Sequence, residues 1–340
     1  MAEKLRIGLL GAGRIGTLHG ANIQNFIPNA EVTMVADPCM NDDMRAWAQG
    51  IGITATSSDP EDVFGNPDID AVFICSSTNT HADFIIRAAK AGKHIFCEKP
   101  VHVDIAKIKE ALAAAEEAGV KLQIGFVRRF DRNHKRVRDV AASGRLGAPY
   151  VIKVTSRDPA APPMEYVKVS GGIFLDMMIH DFDMVRYLSG SEVVEVNAIG
   201  ACLVDPRFAD YDDVDTAIVT LKFANGAIGV IENCRQAPYG FDQRVEVHCE
   251  KGCVQDTNAL ENDAFISTGE GVESAKPAWF NLERYNDAFV AEEKAFVDAV
   301  LNNKEVPVGG KDGLEPVRIA KAAKLSLDEK RPVKLSEIEA

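Results

Sequence analysis

Asp176 and His180 stand four residues apart in the segment Gly171-Gly172-Ile173-Phe174-Leu175-Asp176-Met177-Met178-Ile179-His180-Asp181-Phe182-Asp183. In a helix they would share a face, and Asp183, three residues past His180, would lie beside them. A carboxylate one turn from an imidazole can orient the ring and raise its basicity, as a general base needs when it takes a proton from an alcohol. The same spacing suits a capping or ion-paired Asp176 with a hydrogen-bonded core His180. It also suits a metal held by Asp176, His180 and Asp183. The metal is the weakest of the three, since no further His/Cys cluster completes a site, and none is expected.

A second cluster is Cys97-Glu98-Lys99-Pro100, at the end of an apolar strand-like run. A lysine at the carboxyl edge of a parallel sheet faces the ligand crevice. There it can donate to a substrate hydroxyl and favour alkoxide formation; the alternative is an ordinary surface lysine. A third is Gly11-Ala12-Gly13-Arg14-Ile15-Gly16, between a strand-like and a helix-like stretch. That setting suits a pyrophosphate on a helix N-terminus, where free N–H groups and a partial positive charge await it and a Cβ would block the approach. Asp37 closes the next strand, 21 residues past Gly16. A carboxylate there can accept from both adenosine ribose hydroxyls and repels a 2′-phosphate, so NAD is expected over NADP. Asp37 before Pro38 is also a common turn former.

These clusters need elements to carry them. Strand-like runs at Leu5–Leu10, Glu31–Ala36, Asp68–Ser76, His94–Cys97 and Lys121–Phe126 alternate with helical patterns to about Ile27 and at Met44–Gln49, His81–Ala91 and Asp104–Ala118. This is the grammar of a parallel, doubly wound sheet. Beyond Phe126 it changes. A charged helix is expected over Arg128–Ser143, a strand over Tyr150–Ser156, a loop over Asp158–Gly172 and a helix from about Ile173 to Leu188. Strands then come in series at Val193–Cys202, Val214–Phe223, Ala227–Cys234 and Arg244–Glu250, with turns at Asn225-Gly226 and Lys251-Gly252. Ala288–Leu301 and Gly313–Leu327 read as closing helices. The expected fold class is α/β, with a Rossmann domain over residues 1–126 and an α+β domain with an open, mostly antiparallel sheet over 127–340. The helix at 313–327 is expected to pack back on the first domain.

Composition bounds the partners. The 340 residues are 46% apolar and 26% charged, as in ordinary soluble proteins, and no apolar run approaches a membrane span or a signal peptide. A net charge of −13 disfavours nucleic acid and anionic membranes. Seven cysteines without C-x-x-C spacing point to free thiols in a reducing cytoplasm.

Together GAGRIG (11–16), CSSTNTHADFI (75–85), AGKHIFCEKP (91–100), GFVRRFD (125–131), SRDP (156–159), GGIFLDMMIHDFD (171–183) and YGFDQR (239–244) span nearly the whole chain. In this ordered set the chain resembles the glucose–fructose oxidoreductase/inositol dehydrogenase family, most of all its bacterial inositol 2-dehydrogenases. The resemblance implies NAD-dependent oxidation of a cyclic polyol, myo-inositol to 2-keto-myo-inositol first. Scyllo-inositol or a pyranose is the nearest alternative; a non-catalytic NAD-binding sensor or an NAD-using glycosidase is more distant. It implies a catalytic group of Lys99, Asp176 and His180: His180 accepts the hydroxyl proton, Asp176 orients His180, and Lys99 holds the reacting oxygen. Arg128, Asp158 and Tyr239 would line the substrate. Gly11, Gly13, Arg14, Ile15, Gly16, Asp37, Ser76, Ser77, Asn79, His81, Glu98 and Lys99 would serve the cofactor, although a structural hydrogen bond is an equal reading for His81. A homodimer or homotetramer built through the second domain's sheet is implied as well. Two positions depart from the family pattern: Phe241 stands for the second Tyr of Y-G-Y-D, and His134, read as an exposed helix residue, stands where many relatives carry Tyr.

Overall fold

The computed structural model describes residues 4–338. Two compact units divide them: residues up to Phe130 with Asp287–Glu315, and Asp131–Asn286 with the residues from Pro316 onward.

The first unit alternates strand and helix: β1 (Leu5–Leu10), α1 (Arg14–Phe26), β2 (Ala30–Ala36), α2 (Asp42–Gly50), β3 (Ala55–Ser57), α3 (Glu61–Phe64), β4 (Ala71–Ile74), α4 (Thr78–Lys90), β5 (His94–Glu98), α5 (Ile105–Glu117) and β6 (Leu122–Gly125). A 3-10 turn, Val127–Phe130, ends it. The strand order is β3-β2-β1-β4-β5-β6 and every pairing is parallel. This is the doubly wound arrangement, whose order reverses between β1 and β4 and opens a ligand crevice there. All four residues of β4 are buried, as a strand covered by helices on both faces requires. Phe73 and Phe96 stack at 4.5 Å between centroids, and Phe296 meets Phe73 edge-on at 5.4 Å. β3 and α3 fall outside the expected elements because three and four residues are too few to establish a period.

The second unit holds α6 (Arg132–Ala142), β7 (Pro149–Arg157), α7 (Met164–Ser170), α8 (Gly172–Asp176), α9 (Ile179–Ser189), β8 (Val193–Ala201), a 3-10 turn (Pro206–Tyr211), β9 (Thr216–Phe223), β10 (Ile228–Cys234), β11 (Asp242–Cys249), β12 (Gly252–Asp256) and the hairpin of β13 (Phe265–Thr268) with β14 (Gly271–Ser274). α10 (Asn281–Leu301) and α11 (Gly310–Glu329) each have residues in both units, and β15 (Val333–Lys334) joins the second. Its main sheet runs β12-β11-β7-β10-β9-β8-β15, antiparallel except for the β7–β10 pair. Burial alternates along β9, so one face of the sheet is apolar core. Phe182, Val185 and Leu188 of α9 and Ile319 and Ala323 of α11 belong to that core. Both expected turns are present: Gly226, at φ +89°, joins the antiparallel β9 and β10, and Lys251 joins β11 and β12.

Four local expectations are corrected. The helix expected over Arg128–Ser143 is split at Asp131, whose carboxylate caps α6 by accepting from the N–H groups of Asn133 and His134 at 3.0 Å each. His134 is only 1% exposed. The run of basic residues around it conceals that it faces Asp131 and Asp256, the latter at 3.3 Å. The loop expected over Asp158–Gly172 contains α7, which ends at Gly171 and Gly172, both at positive φ. The helix expected from Ile173 to Leu188 is broken at Met177-Met178, where the Met178 N–H reaches back five residues to the Ile173 carbonyl. The sequence Met177-Met178 holds no glycine or proline to mark such a break.

Candidate cofactor site and candidate catalytic cluster

In the first unit the expected cofactor residues gather at the carboxyl ends of the strands. Gly11–Gly16 follows β1, Asp37 follows β2, Ser76–Asn79 lies just past β4, Glu98 ends β5 and Lys99 follows it. The three glycines answer three needs. Gly11 lies at φ +102°, and a Cβ on it would stand 2.7 Å from the Cys75 backbone. A Cβ on Gly16 would stand 2.0 Å from the Gly11 carbonyl oxygen. Gly13 has nothing within 4 Å of its would-be Cβ and caps α1 without a side-chain bond, leaving the helix N-terminus open. No acidic residue stands in the first turn of α1. An open, uncapped N-terminus beside a glycine turn fits a pyrophosphate. Exposed Arg14 and half-buried Ile15 begin the helix.

Asp37 takes both roles open to it. Its Oδ1 accepts from the Cys39 N–H at 2.8 Å, a turn bond, and its Oδ2 accepts from the Ala12 N–H at 2.7 Å. Each oxygen keeps a lone pair, so the carboxylate is held in place and can still accept from ribose hydroxyls. After β4, Ser77 is the N-cap residue of α4 without a side-chain cap bond, Asn79 is exposed, and the Ser76 and Thr80 hydroxyls lie 2.7 Å apart. His81 is buried, with its ring nitrogens 2.8 Å from the Pro100 carbonyl and 3.0 Å from the Ser76 carbonyl. Burial lowers its pKa, and the neutral ring donates to one of the two carbonyls while packing between the loops that carry them.

His19 on α1 and Glu293 on α10 escape sequence reading. The His19 ring is wholly buried, 2.6 Å from Glu293 Oε1 and 2.9 Å from Glu98 Oε1, and Asn22 donates to the same Glu293 oxygen at 3.1 Å. Burial opposes charge on the ring, but hydrogen bonds to Glu293 and Glu98 outweigh it and push its pKa up to about 10. An imidazolium thus braces the carboxylate that precedes Lys99. The only sequence signal is the place of His19 three residues past Gly16, on the buried face of α1.

In the second unit Asp176 ends α8 and His180 is the second residue of α9, so they do not share one continuous helix. Asp176 Oδ1 accepts from the Tyr166 hydroxyl at 2.6 Å, and its Oδ2 lies 2.9 Å from Arg235 Nη2. Asp183 is buried 3.7 Å from Arg186, and buried Asp181 accepts from the Asn233 amide at 2.8 Å. Asp158 lies 3.6 Å from Arg235 Nη1. The Tyr239 hydroxyl donates to Asp242 at 2.7 Å and accepts from Arg157 at 2.7 Å. Phe241 is buried, edge-on to Tyr285 at 6.1 Å, so an apolar ring suits its position. Arg235 and Tyr166 are the side chains that sequence reading missed. Arg235 sits between a strand end and YGFD, and Tyr166 lies in the segment expected to be loop. Arg128, at the end of the first unit, is buried in the 3-10 turn after β6.

Among the described residues one group has the spacing of metal ligands: Asp131, His134 and Asp256 in the second unit. Arg284 pairs with both carboxylates there and already supplies the positive charge that an ion would bring.

The parallel doubly wound sheet and the open glycine turn at α1 are those of a dinucleotide-binding oxidoreductase domain. The chain belongs to the GFO/IDH/MocA family: residues 5–126 match the oxidoreductase family model with its NAD-binding Rossmann fold, and residues 134–255 match the GFO/IDH/MocA C-terminal domain. It is 47% identical to an uncharacterised oxidoreductase, YrbE, of Bacillus subtilis, over 100% of this chain and 99% of that one. It is 44% identical to the myo-inositol 2-dehydrogenase of Thermotoga maritima, over 98% and 99% of the two chains. The solved scyllo-inositol dehydrogenase of Lactobacillus casei, with bound NAD(H) and scyllo-inositol, matches with a TM-score of 0.90 at 31% identity, covering 98% of this chain and 100% of that one.

Proposed function

We propose that this protein oxidises a secondary hydroxyl of a cyclic polyol with NAD, converting myo-inositol to its 2-keto derivative. The observation that carries this reading is the full-length likeness to a myo-inositol 2-dehydrogenase, in a chain that carries Lys99, Asp176 and His180. NAD, when bound, supplies the hydride acceptor at nicotinamide C4. The open α1 N-terminus takes the pyrophosphate, and Asp37 takes the adenosine ribose. Lys99 donates to the reacting oxygen and stabilises charge developing on it. His180 accepts the hydroxyl proton and Asp176 orients it. Arg128, Asp158 and Tyr239 meet further hydroxyls, since only directional donors and acceptors sort stereoisomers. A panel of inositols and pyranoses with NAD, read at the NADH absorbance band, tests the proposal. Turnover of myo-inositol is the expected result, and no turnover of any inositol overturns it.

Asp37 should set the choice of dinucleotide. Asp37→Asn removes the charge and keeps one carbonyl oxygen, which can accept from the Ala12 or the Cys39 N–H but not from both. Hydrogen bonds to charged groups contribute roughly 1.5–3 kcal/mol, so the preference for NAD over NADP should narrow by roughly 10- to 100-fold. Comparison of kcat/KM for the two dinucleotides measures it, and an unchanged ratio would remove Asp37 from this role.

The assembly proposed is a homodimer or homotetramer through the second unit's sheet. Tyr150, Ile199, Ile218 and Ile228, exposed on its strands, support it. Seven free cysteines support a reducing cytoplasm as its location. No described helix is long and apolar enough to cross a membrane.

A further inference from the structure

Arg235 follows β10 directly, and its N–H donates to the Asp215 carbonyl at 2.8 Å, which fixes where the side chain starts. The residue is only 3% exposed. From there the guanidinium spans two carboxylates, with Nη2 2.9 Å from Asp176 Oδ2 and Nη1 3.6 Å from Asp158 Oδ2. A third, Asp213, adds to the field: burial disfavours the charge on Arg235, while Asp176, Asp158 and Asp213 favour it. Asp213 is itself tied to the start of α8 by the Ile173 N–H at 2.9 Å. A buried ion pair is a poor source of stability, because desolvation offsets most of the attraction. Arginine is the residue whose planar fork can address two carboxylates at once, which the point charge of lysine cannot.

The two carboxylates so spanned are those assigned above to the polyol and to His180. We propose that Arg235 is a positioning residue of the reaction: it holds Asp158 and Asp176 in fixed orientation, so that both present oxygens to hydroxyl and imidazole donors. This rests on the polyol dehydrogenase reading. Carboxylate oxygens aimed in this way accept from hydroxyls, so a substrate must present hydroxyl protons at both places. The pair becomes a filter for adjacent hydroxyl groups, with Arg235 setting its geometry. The Tyr166 hydroxyl on the other Asp176 oxygen limits rotation of that carboxylate.

The test uses the full-length protein with Arg235→Lys and Arg235→Ala. Steady-state kinetics on myo-inositol are paired with NADH binding by fluorescence and with thermal melting. Loss of alignment typically costs on the order of 10²-fold. Arg235→Lys should therefore raise KM for the polyol about 10-fold with smaller loss of kcat, and Arg235→Ala should lower kcat/KM about 100-fold. Both should bind NADH like the parent, and guanidinium ion should restore part of the Arg235→Ala activity. The proposal is overturned if both variants stay within about 3-fold of the parent in kcat/KM. It is equally overturned if turnover, NADH binding and melting temperature fall together in both, which is the mark of a purely structural residue. Absence of inositol turnover by the parent would appear before any variant is compared, and would overturn the polyol reading and this proposal with it.

Discussion

Replacing His180 by alanine should lower NADH formation from a polyol by about 10²- to 10⁴-fold, the usual contribution of a positioned general base. The hydride cannot leave the carbon readily while its hydroxyl keeps its proton. The substitution should spare the fold. His180 is half-buried at the start of α9, whereas the residues that anchor this helix, Phe182, Val185 and Leu188, are in the core. Dinucleotide binding should also survive, because Gly11–Gly16 and Asp37 lie in the other unit. Lys99→Ala should give a loss of similar order, for removing the donor to the reacting oxygen rather than the proton acceptor. Stopped-flow or steady-state NADH absorbance, together with NADH titration by fluorescence, checks both. If both variants retain turnover, the roles assigned to them are wrong.

The largest effect on stability is expected at His19. Breaking a buried ionic cluster by removing one partner typically costs about 3–5 kcal/mol, because the remaining charges stay buried without compensation. His19→Ala would leave Glu293, fully buried, and Glu98 facing each other. The melting temperature should fall by roughly 10 °C. The pH dependence has a definite sign. The folded pKa of His19, about 10, lies above the ordinary histidine value of 6.5. The stabilisation is therefore fully present below about pH 6.5 and is lost as pH rises through about 10. Burial raises the Glu293 carboxyl, which acts in the same direction. Melting curves of the parent and His19→Ala between pH 6 and 10 should converge toward the alkaline end. A gap that stays constant or widens with pH would mean that the ring is neutral in the folded protein. Because Glu98 precedes Lys99, weakening this cluster should also loosen the loop that carries the proposed oxygen donor.

The parts of the site visible before folding are those whose chemistry is local. GAGRIG is recognisable because turn, helix start and close approach all fall within six residues. Asp37 is recognisable because a strand of fixed rise places its end a set distance along the chain. The parallel and antiparallel halves announce themselves through strand–helix alternation in one and strands joined by Asn225-Gly226 in the other. Asp176 and His180 were found by a spacing argument whose premise, a continuous helix, does not hold. The break at Met177-Met178 shows that helical spacing alone does not set the geometry of the two residues proposed here.

By itself, then, the sequence determined the fold class, the dinucleotide crevice and the family, since periodicity and ordered motifs are properties of short stretches. Only the tertiary structure decided what surrounds them. It buried His134 against Asp131 and Asp256, placed Arg235 across Asp176 and Asp158, and returned Asp287–Glu315 to the first unit. It also brought Glu293 to His19 across 274 positions of chain. The physical reason is the same in each case. A buried charge must find its partner wherever packing brings one, and a separation of that length leaves no trace in local pattern.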